Sequence, residues 1–355
     1  MGRRFSTVYA ILNTVLLIAS YVILAYLAWS KGIENLGFVL IGLVFGFVFA
    51  PLFHELGHVC FAQISGMEYV YFKAFCFRFV RKNGKLKFSF ASPFAADETQ
   101  VIPKCGGNMK KRAATYSIGG LAIEGAAALI IILSAGICLS VGKINFELLA
   151  MIPYFVYLFF LNALPVEYAS GKTDAAIYIG IKKGFPAEKN MLAAMEIQGR
   201  LYEGKSFAEI PLEYYFEQPQ LSEDEPLFAV MLDLRYRYWL DIGDFEKASD
   251  CLNRLAQAEP YLTAVEVEKI LAELTYMHCI NNDEERASKC KDLCEEYLKE
   301  ENVTAKRVLA AYACLRNEKE ACTAFIADGY KCLEIERIAG VANFEKTLLS
   351  RIKAE

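Results

Sequence analysis

The segment His54-Glu55-Leu56-Gly57-His58 contains two of the three histidines of the chain, four residues apart. Residues i and i+4 of an α-helix project from the same face, so both imidazoles can bind one Zn²⁺ ion. Glu55 lies between them, where a carboxylate can act as general base on a water at the open position of the metal. This pattern is typical of zinc-dependent peptide hydrolysis.

A catalytic zinc site normally has three protein ligands and one open position. The remaining histidine, His278, lies far along the chain from the motif, so we expect the third ligand to be a carboxylate or a cysteine. The motif also lies within an apolar segment, where ionisable side chains are costly and usually functional. Both observations favour a zinc site over a polar turn without a metal.

Fifty-five per cent of the 355 residues are hydrophobic, which is high for a soluble chain of this length. Four stretches are long enough to cross about 30 Å of hydrocarbon as helices, which takes about 20 residues each. They cover roughly residues 8–29, 37–64, 114–141 and 146–166. The first has too long an apolar core for a signal peptide and no small-residue cleavage site, so we expect it to remain as a span. The sequence therefore predicts an integral, multi-pass membrane protein that is embedded in the lipid bilayer.

Charge is distributed unevenly between the two halves of the chain. Residues 1–186 contain 17 Lys and Arg against 9 Asp and Glu, whereas residues 187–355 contain 21 against 33. Ten of the basic residues lie between the second and third spans, and the positive-inside rule then places this loop and both termini in the cytosol, in what we expect to be a bacterial cell membrane. Eleven cysteines without regular spacing indicate reduced thiols. Because the basic residues lie among apolar segments and the polar half is acidic, nucleic acid is excluded as a partner.

Hydrophobic and polar residues alternate over residues 75–90 on either side of Asn83-Gly84, a dipeptide typical of two-residue type I′ hairpin turns. The register that this turn imposes pairs Phe79 with Phe88, Phe77 with Phe90 and Arg81 with Leu86. The hairpin then has an aromatic face and a basic face. One interpretation is a ribbon that rests on anionic lipid headgroups. The other is an edge strand that binds an unwound peptide by β-augmentation, with Phe77, Phe79 and Phe88 as substrate-binding residues.

From about residue 187 the pattern indicates amphipathic helices separated by short polar turns. Similar turns recur, starting at Gly204, Gly243, Asn282 and Asn317, with spacings of 39, 39 and 35 residues. Periods of this length with Gly or Asn at a turn are typical of stacked helical hairpins, and the segment resembles degenerate tetratricopeptide-type repeats. We expect a cytosolic repeat domain with a protein partner.

Together with the later segment Leu161-Asn162-Ala163-Leu164-Pro165 and Asp174, the motif at residues 54–58 resembles the site-2 protease family of intramembrane zinc metalloproteases. The resemblance covers about residues 36–180. It implies His54, His58 and Asp174 as zinc ligands and Glu55 as general base. It also implies that Asn162 lies close to the site and orients substrate.

Two rival third ligands remain open, Glu167 and Glu124, of which Glu124 stands about where many relatives have Asn. The expected topology bears independently on Asp174. His54 lies about 17 residues, or about 25 Å, into a span that begins on the outer face, so the zinc is expected near the cytosolic boundary. Span four ends on that side, and a re-entrant segment over residues 166–173 could return Asp174 to the histidines. Pro51 and Pro165 are expected to break their helices locally and help to admit water.

These expectations describe a mainly α protein: a polytopic membrane domain of four spans, with a cytosolic β-hairpin between spans two and three, and a cytosolic all-α repeat domain. Residues 1–35 form an extra N-terminal span and external loop, residues 36–186 the metalloprotease core and residues 187–355 the repeat domain. The predicted function is a zinc endopeptidase, with one Zn²⁺ per chain, that cleaves transmembrane or membrane-tethered proteins or peptides near the cytosolic face, as in regulated intramembrane proteolysis. The alternative is a catalytically inactive membrane-anchored scaffold that acts through its repeats, and the intact Glu55 favours the enzyme.

Overall fold

The computed structural model describes residues 3–82, 85–168, 171–257 and 262–352. The chain forms two compact units, the first made of Met1–Ile102 and Asn108–Phe185 and the second of Pro103–Gly107 and Pro186–Glu355. The main division falls at Phe185, close to the end of the expected metalloprotease core. Membership of Pro103–Gly107 in the second unit was not expected from the sequence.

Within the described residues of the first unit, four helical stretches are long and apolar enough to cross a membrane, by length and composition. They cover Phe5–Lys31, Asn35–Ile64, Met109–Ser140 and Phe146–Ala163, in the places where the sequence predicts spans. Their outward faces carry many exposed leucine, isoleucine and valine side chains. An apolar surface of this extent is unfavourable in water and is what a helix presents to lipid.

The helical elements of this part are α1 (Arg3–Lys31), α2 (Asn35–Ile64), α3 (Met109–Ser117), α4 (Gly119–Ser140) and α5 (Phe146–Ala163). α2 continues through Pro51, so the break expected there is wrong: the ring removes one backbone hydrogen bond, and the flanking turns continue the helix. Helix α5 does end, at Ala163, two residues before Pro165.

Helix α2 packs closely against both α4 and α5, which also pack against each other. A Cβ atom on Gly57 would lie 2.3 Å from the carbonyl oxygen of Gly119 in α4, and one on Gly42 would lie 2.2 Å from that of Glu147 in α5. Small residues at such crossings let helix backbones come together without side chains between them. The glycines therefore fix the position of α2, which carries the histidine motif.

The sheet of this unit contains β1 (Met67–Ala74), β2 (Phe77–Lys82), β3 (Lys85–Phe90) and β4 (Glu98–Pro103), in the order β3-β2-β1-β4. The expected hairpin is β2-β3. Its register is confirmed, since the pairs are Phe79 with Phe88, Phe77 with Phe90 and Arg81 with Leu86. The turn residues Asn83 and Gly84 lie outside the described residues. Strands β1 and β4 were not expected from the sequence.

A tight hairpin of β5 (Glu167–Tyr168) and β6 (Gly171–Lys172) follows α5 and leads to α6 (Asp174–Lys183). The hydroxyl of Thr173 donates to the carbonyl oxygen of Leu164 at 2.6 Å and accepts from the amide of Ala176 at 3.2 Å. It therefore closes the hairpin and caps α6 at once. The chain turns back directly after α5 and begins α6 with Asp174.

The second unit is helical throughout its described residues. Its elements are α7 (Pro186–Tyr202), a 3-10 helix (Phe207–Glu209), α8 (Glu213–Phe216), α9 (Pro226–Ile242), α10 (Phe245–Ala256), α11 (Ala264–Ile280), α12 (Glu284–Leu293), α13 (Glu295–Leu298), α14 (Val303–Leu315), α15 (Lys319–Leu333) and α16 (Ala339–Arg351).

The four turns that recur in the sequence all lie between helical segments of this unit. Gly204, Gly243, Asn282 and Asn317 have φ angles of 97°, 84°, 56° and 58°, in the left-handed region where Gly and Asn are favoured. The last three join α9 to α10, α11 to α12 and α14 to α15. The turn chemistry read from the sequence is therefore correct, while the assignment to a repeat family stays a prediction.

Segment Pro103–Gly107 is held against α7 within this unit. The carboxylate of Glu196 accepts from the amide of Gly107 at 2.8 and 2.9 Å. A Cβ atom on Gly199 would lie 2.4 Å from the carbonyl oxygen of Cys105. Glu196 and Gly199, about one turn apart on α7, thus hold the segment against this helix.

A buried ion network joins four helices of the second unit. The guanidinium of Arg307 on α14 is fully buried and donates to Glu273 on α11 at 2.8 and 2.9 Å and to Glu345 on α16 at 2.7 Å. The hydroxyl of Tyr236 on α9 donates to Glu273 at 2.7 Å. Burial alone would raise the pKa of Glu273, but the adjacent Arg307 holds that pKa below its ordinary value. The contacts of this network therefore centre on the Arg307 guanidinium.

We expect Arg307→Met to lower the free energy of unfolding of the second unit by roughly 3–5 kcal/mol, because it leaves two buried carboxylates without their cation. Denaturant unfolding of the full chain in detergent, followed by helical circular dichroism, measures the loss. Arg316→Met, at the exposed end of the same helix, is the matched control and should change stability by about 0.5 kcal/mol or less. Equal losses for the two variants would contradict the structural role of the network.

Candidate metal centre

The two histidines of the motif project from one face of α2, with ring centroids 5.0 Å apart, and both are buried. They face Gly120 on α4, where an added Cβ atom would lie 2.6 Å from Nε2 of His58 and 2.7 Å from Nε2 of His54. The absence of a side chain at Gly120 keeps space open beside both nitrogens. A ligand between them would occupy that space.

Asp174, the first residue of α6, meets the two histidines. Its Oδ2 lies 3.1 Å from Nε2 of His54 and 3.2 Å from Nε2 of His58. The same oxygen is buried and receives no hydrogen bond of acceptable geometry from the described residues. Buried polar atoms nearly always have partners, so an orphaned carboxylate oxygen between two imidazole nitrogens indicates a missing one.

One ligand atom from each of His54, His58 and Asp174 lies within 4.8 Å of the others, so this group could hold a metal ion. Two imidazoles and one carboxylate with room for a fourth ligand is a donor set that suits zinc in catalytic sites. The residues present therefore fit the metal that the motif predicts.

The partner of Nδ1 in each histidine determines which ring nitrogen carries the proton. Nδ1 of His58 lies 3.2 Å from the carbonyl oxygen of Tyr116, which can only accept, so the neutral ring carries its proton on Nδ1. Nδ1 of His54 lies 2.9 Å from Oε2 of Glu124, and a carboxylate is likewise an acceptor. Both histidines then present an Nε2 lone pair to the same point, as metal ligands require.

The rival third ligands lie elsewhere. Glu124 contacts His54 on Nδ1, the ring nitrogen that faces away from Asp174. Glu167 is exposed on β5. Of the three carboxylates considered, Asp174 is the one that the structure brings to both Nε2 atoms.

Glu55 is buried, and the side chain that hydrogen-bonds to it lies on strand β4 of the sheet. The hydroxyl of Thr99 on β4 donates to Oε2 of Glu55 at 2.6 Å, and the hydroxyl of Tyr116 donates to the carbonyl oxygen of Thr99 at 2.5 Å. Among the described residues no hydrogen bond to Oε1 of Glu55 is found. One carboxylate oxygen is thus held and the other remains free for a proton. Sequence reasoning missed Thr99 and Tyr116, since no motif marks them.

No hydrogen bond or ion pair in the described structure joins the other expected site residues to the metal-binding group. The side-chain amide of Asn162 donates to the carbonyl oxygen of Leu158 in its own helix at 3.3 Å, and no hydrogen bond in the described structure joins it to the three ligands. Phe77, Phe79 and Phe88 lie on β2 and β3, and β1 separates these strands from β4. Their role in substrate binding stays a prediction.

The chain matches no protein-family model, and comparisons with curated proteins and with solved structures give no match either. The chemistry of the site is therefore inferred from its own geometry.

We expect the purified full-length chain to bind about one zinc ion, and His54→Ala, His58→Ala and Asp174→Ala each to reduce the bound zinc well below one per chain. Each substitution removes one of three ligands, and two ligands rarely hold a catalytic zinc. Elemental analysis after dialysis against a weak chelator measures the content. His278→Ala, which removes the histidine of the second unit, is the control and should leave the content unchanged. Zinc retained in both His54→Ala and His58→Ala would refute the site.

Proposed function

We propose that this protein is an intramembrane zinc endopeptidase that cleaves membrane-tethered proteins or peptides near the cytosolic face of the membrane. The observation that carries the proposal is the convergence of His54, His58 and Asp174, beside Glu55, among helices apolar enough to span a bilayer. Ionisable groups are costly in such helices and usually have a function. The resemblance of the motifs to the site-2 protease family points to the same activity.

When bound, zinc supplies Lewis acidity, which polarises the scissile carbonyl group and makes a water molecule more acidic. Glu55 takes a proton from the attacking water as the new C–O bond forms. It delivers that proton to the amine nitrogen as the C–N bond breaks. Thr99 is bound to Oε2 of Glu55 and holds the carboxylate, which leaves Oε1 to take the proton.

A substrate helix hides its peptide carbonyls in hydrogen bonds and must unwind before it can be cleaved. Strand β4 reaches the site, because Thr99 contacts Glu55. Its far edge pairs with no strand among the described residues. A stretch of substrate paired to this edge would regain backbone hydrogen bonds beside the general base.

The hairpin β2-β3 has a separate role in this proposal. Phe88 and Phe90 of β3 are half or more exposed, with Phe79 packed against Phe88 at 5.1 Å between ring centroids. Lys85 and Lys87 are also exposed. Exposed aromatic rings next to lysines suit the boundary between anionic headgroups and hydrocarbon. A substrate that lies in this boundary would meet the aromatic face first.

The cleavage proposal predicts that Glu55→Gln retains zinc and loses about 10²–10⁴-fold in cleavage rate, since the amide cannot accept the proton of water. The assay uses protein reconstituted in liposomes with a single-span peptide that has helix-breaking residues near its cytosolic end. Glu167→Gln, at an exposed carboxylate, is the control and should cleave as the wild type does. If wild-type protein loaded with zinc leaves every such peptide intact while it binds a partner through its second unit, the scaffold alternative takes the place of the enzyme.

The proposed topology places both termini in the cytosol, because the loop with ten basic residues resists translocation. A phosphatase reporter fused after Ala187 or at Glu355 should therefore be inactive, and one inserted near Glu34 should be active outside the membrane. A fluorescent protein at the same three positions, which matures in the cytosol, gives the complementary pattern and serves as control. An external C-terminus would contradict cleavage near the cytosolic face.

A further inference from the structure

We infer that Glu124 is a positioning residue of the metal centre, which accepts the Nδ1 hydrogen bond of His54 and thereby sets the orientation and ligand strength of that histidine. The inference rests on the metal centre of the proposed function. It gives Glu124 a role distinct from that of the three ligands and from that of Glu55.

The contact itself is short and fully enclosed. Oε2 of Glu124 lies 2.9 Å from Nδ1 of His54, and the Glu124 side chain has no exposed surface. The two residues are 70 positions apart, so the bond joins α4 to α2. It forms near the Gly57–Gly119 crossing, where the backbones of the two helices approach closely.

A buried carboxylate such as that of Glu124 is unfavourable if the side chain serves only to fill space. Glu124 is the one charged residue of α4, whose sequence is otherwise apolar. Its Oε1 is buried and has no hydrogen-bond partner in the described structure. An isolated buried carboxylate is strongly unfavourable, and an apolar side chain of similar volume would pack more stably. The benefit that offsets this cost must come from the group that Oε2 contacts.

The two histidines differ in the acceptor behind them. His58 faces a neutral carbonyl oxygen, that of Tyr116, whereas His54 faces a carboxylate. A carboxylate behind a metal-binding imidazole fixes its tautomer and makes the nitrogen that faces the metal more basic. His54 is therefore the stronger of the two imidazole ligands, and Glu124 is the cause.

The geometry also separates this role from direct ligation. Asp174 contacts Nε2 of His54 and Glu124 contacts Nδ1, so the imidazole ring lies between the two carboxylates. For Glu124 to bind the metal, the ring of His54 would have to leave that position. The ring is instead held from both sides.

The test compares zinc affinity, with zinc alone as the probe, in purified full-length protein in detergent by competition with a chromophoric chelator. Glu124→Gln keeps the size and an acceptor oxygen but removes the charge, and we expect about 10-fold weaker zinc binding. Glu124→Leu removes the acceptor as well. For this variant we expect zinc binding to be up to about 100-fold weaker, which is within the range for residues that support a metal ligand.

A matched control is Glu147→Gln, which removes a carboxylate from the same unit. The backbone of Glu147 packs against Gly42, about 18 Å along α2 from His54 at 1.5 Å per residue. This variant should bind zinc as the wild type does. Thermal unfolding of the zinc-free proteins is measured in parallel, because a purely structural role of Glu124 would lower that stability and leave zinc affinity unchanged.

The outcomes separate this inference from the one on which it rests. If His54→Ala loses zinc while the folded Glu124→Gln and Glu124→Leu variants bind it within twofold of wild type, the positioning role is overturned and the metal centre stands. If Glu124→Leu does not fold, Glu124→Gln decides by the same criterion. If His54→Ala itself retains zinc, the metal centre fails first.

Discussion

The main constraint on the first unit is that buried charges among its apolar helices are strongly unfavourable unless they are compensated. Glu55, Glu124 and Asp174 are all largely enclosed, and the side chains that contact them in the described structure are two imidazoles and one hydroxyl, with no lysine or arginine. Three carboxylates without a cation are strongly unfavourable in such surroundings. The divalent metal ion that we propose beside Asp174 would supply the missing positive charge. The glycine contacts of α2, the gap at Gly120 and the turn after α5 all serve to bring these groups to one point.

The second unit meets the same constraint in a different way. Arg307 lies between Glu273 and Glu345, so two carboxylates share a cation that belongs to the chain. These ion pairs join α14 to α11 and α16 through groups of the chain itself. The candidate metal centre differs because Oδ2 of Asp174 has no hydrogen-bond donor among the described residues. The second unit thus balances its buried carboxylates within the chain, whereas the first unit offers a place for the added ion that we propose.

Most patterns that are local in sequence predict the structure correctly, although the helix break expected at Pro51 does not form. The four apolar stretches, the register around Asn83-Gly84 and the turns at Gly243, Asn282 and Asn317 each depend on residues within a few positions, where periodicity and turn chemistry act directly. Contacts between distant segments were not accessible in this way. Thr99 reaches Glu55 across 44 positions, and Pro103–Gly107 joins the second unit, without any motif to mark either. The position of Asp174 followed from a resemblance, whereas Glu124 was considered only as a ligand.

The candidate third ligand lies on a separate helix, and helix geometry gives a reason. Two histidines at i and i+4 use one turn of α2, and the next residue on that face lies about 5 Å further along the axis, too far for the same metal. The chain solves this by ending α5 and starting α6 at Asp174, in the first turn, where the positive end of the helix dipole favours a carboxylate. The capping hydroxyl of Thr173 fixes where that turn begins. The backbone therefore favours an anionic side chain at the position from which Asp174 reaches the two imidazoles.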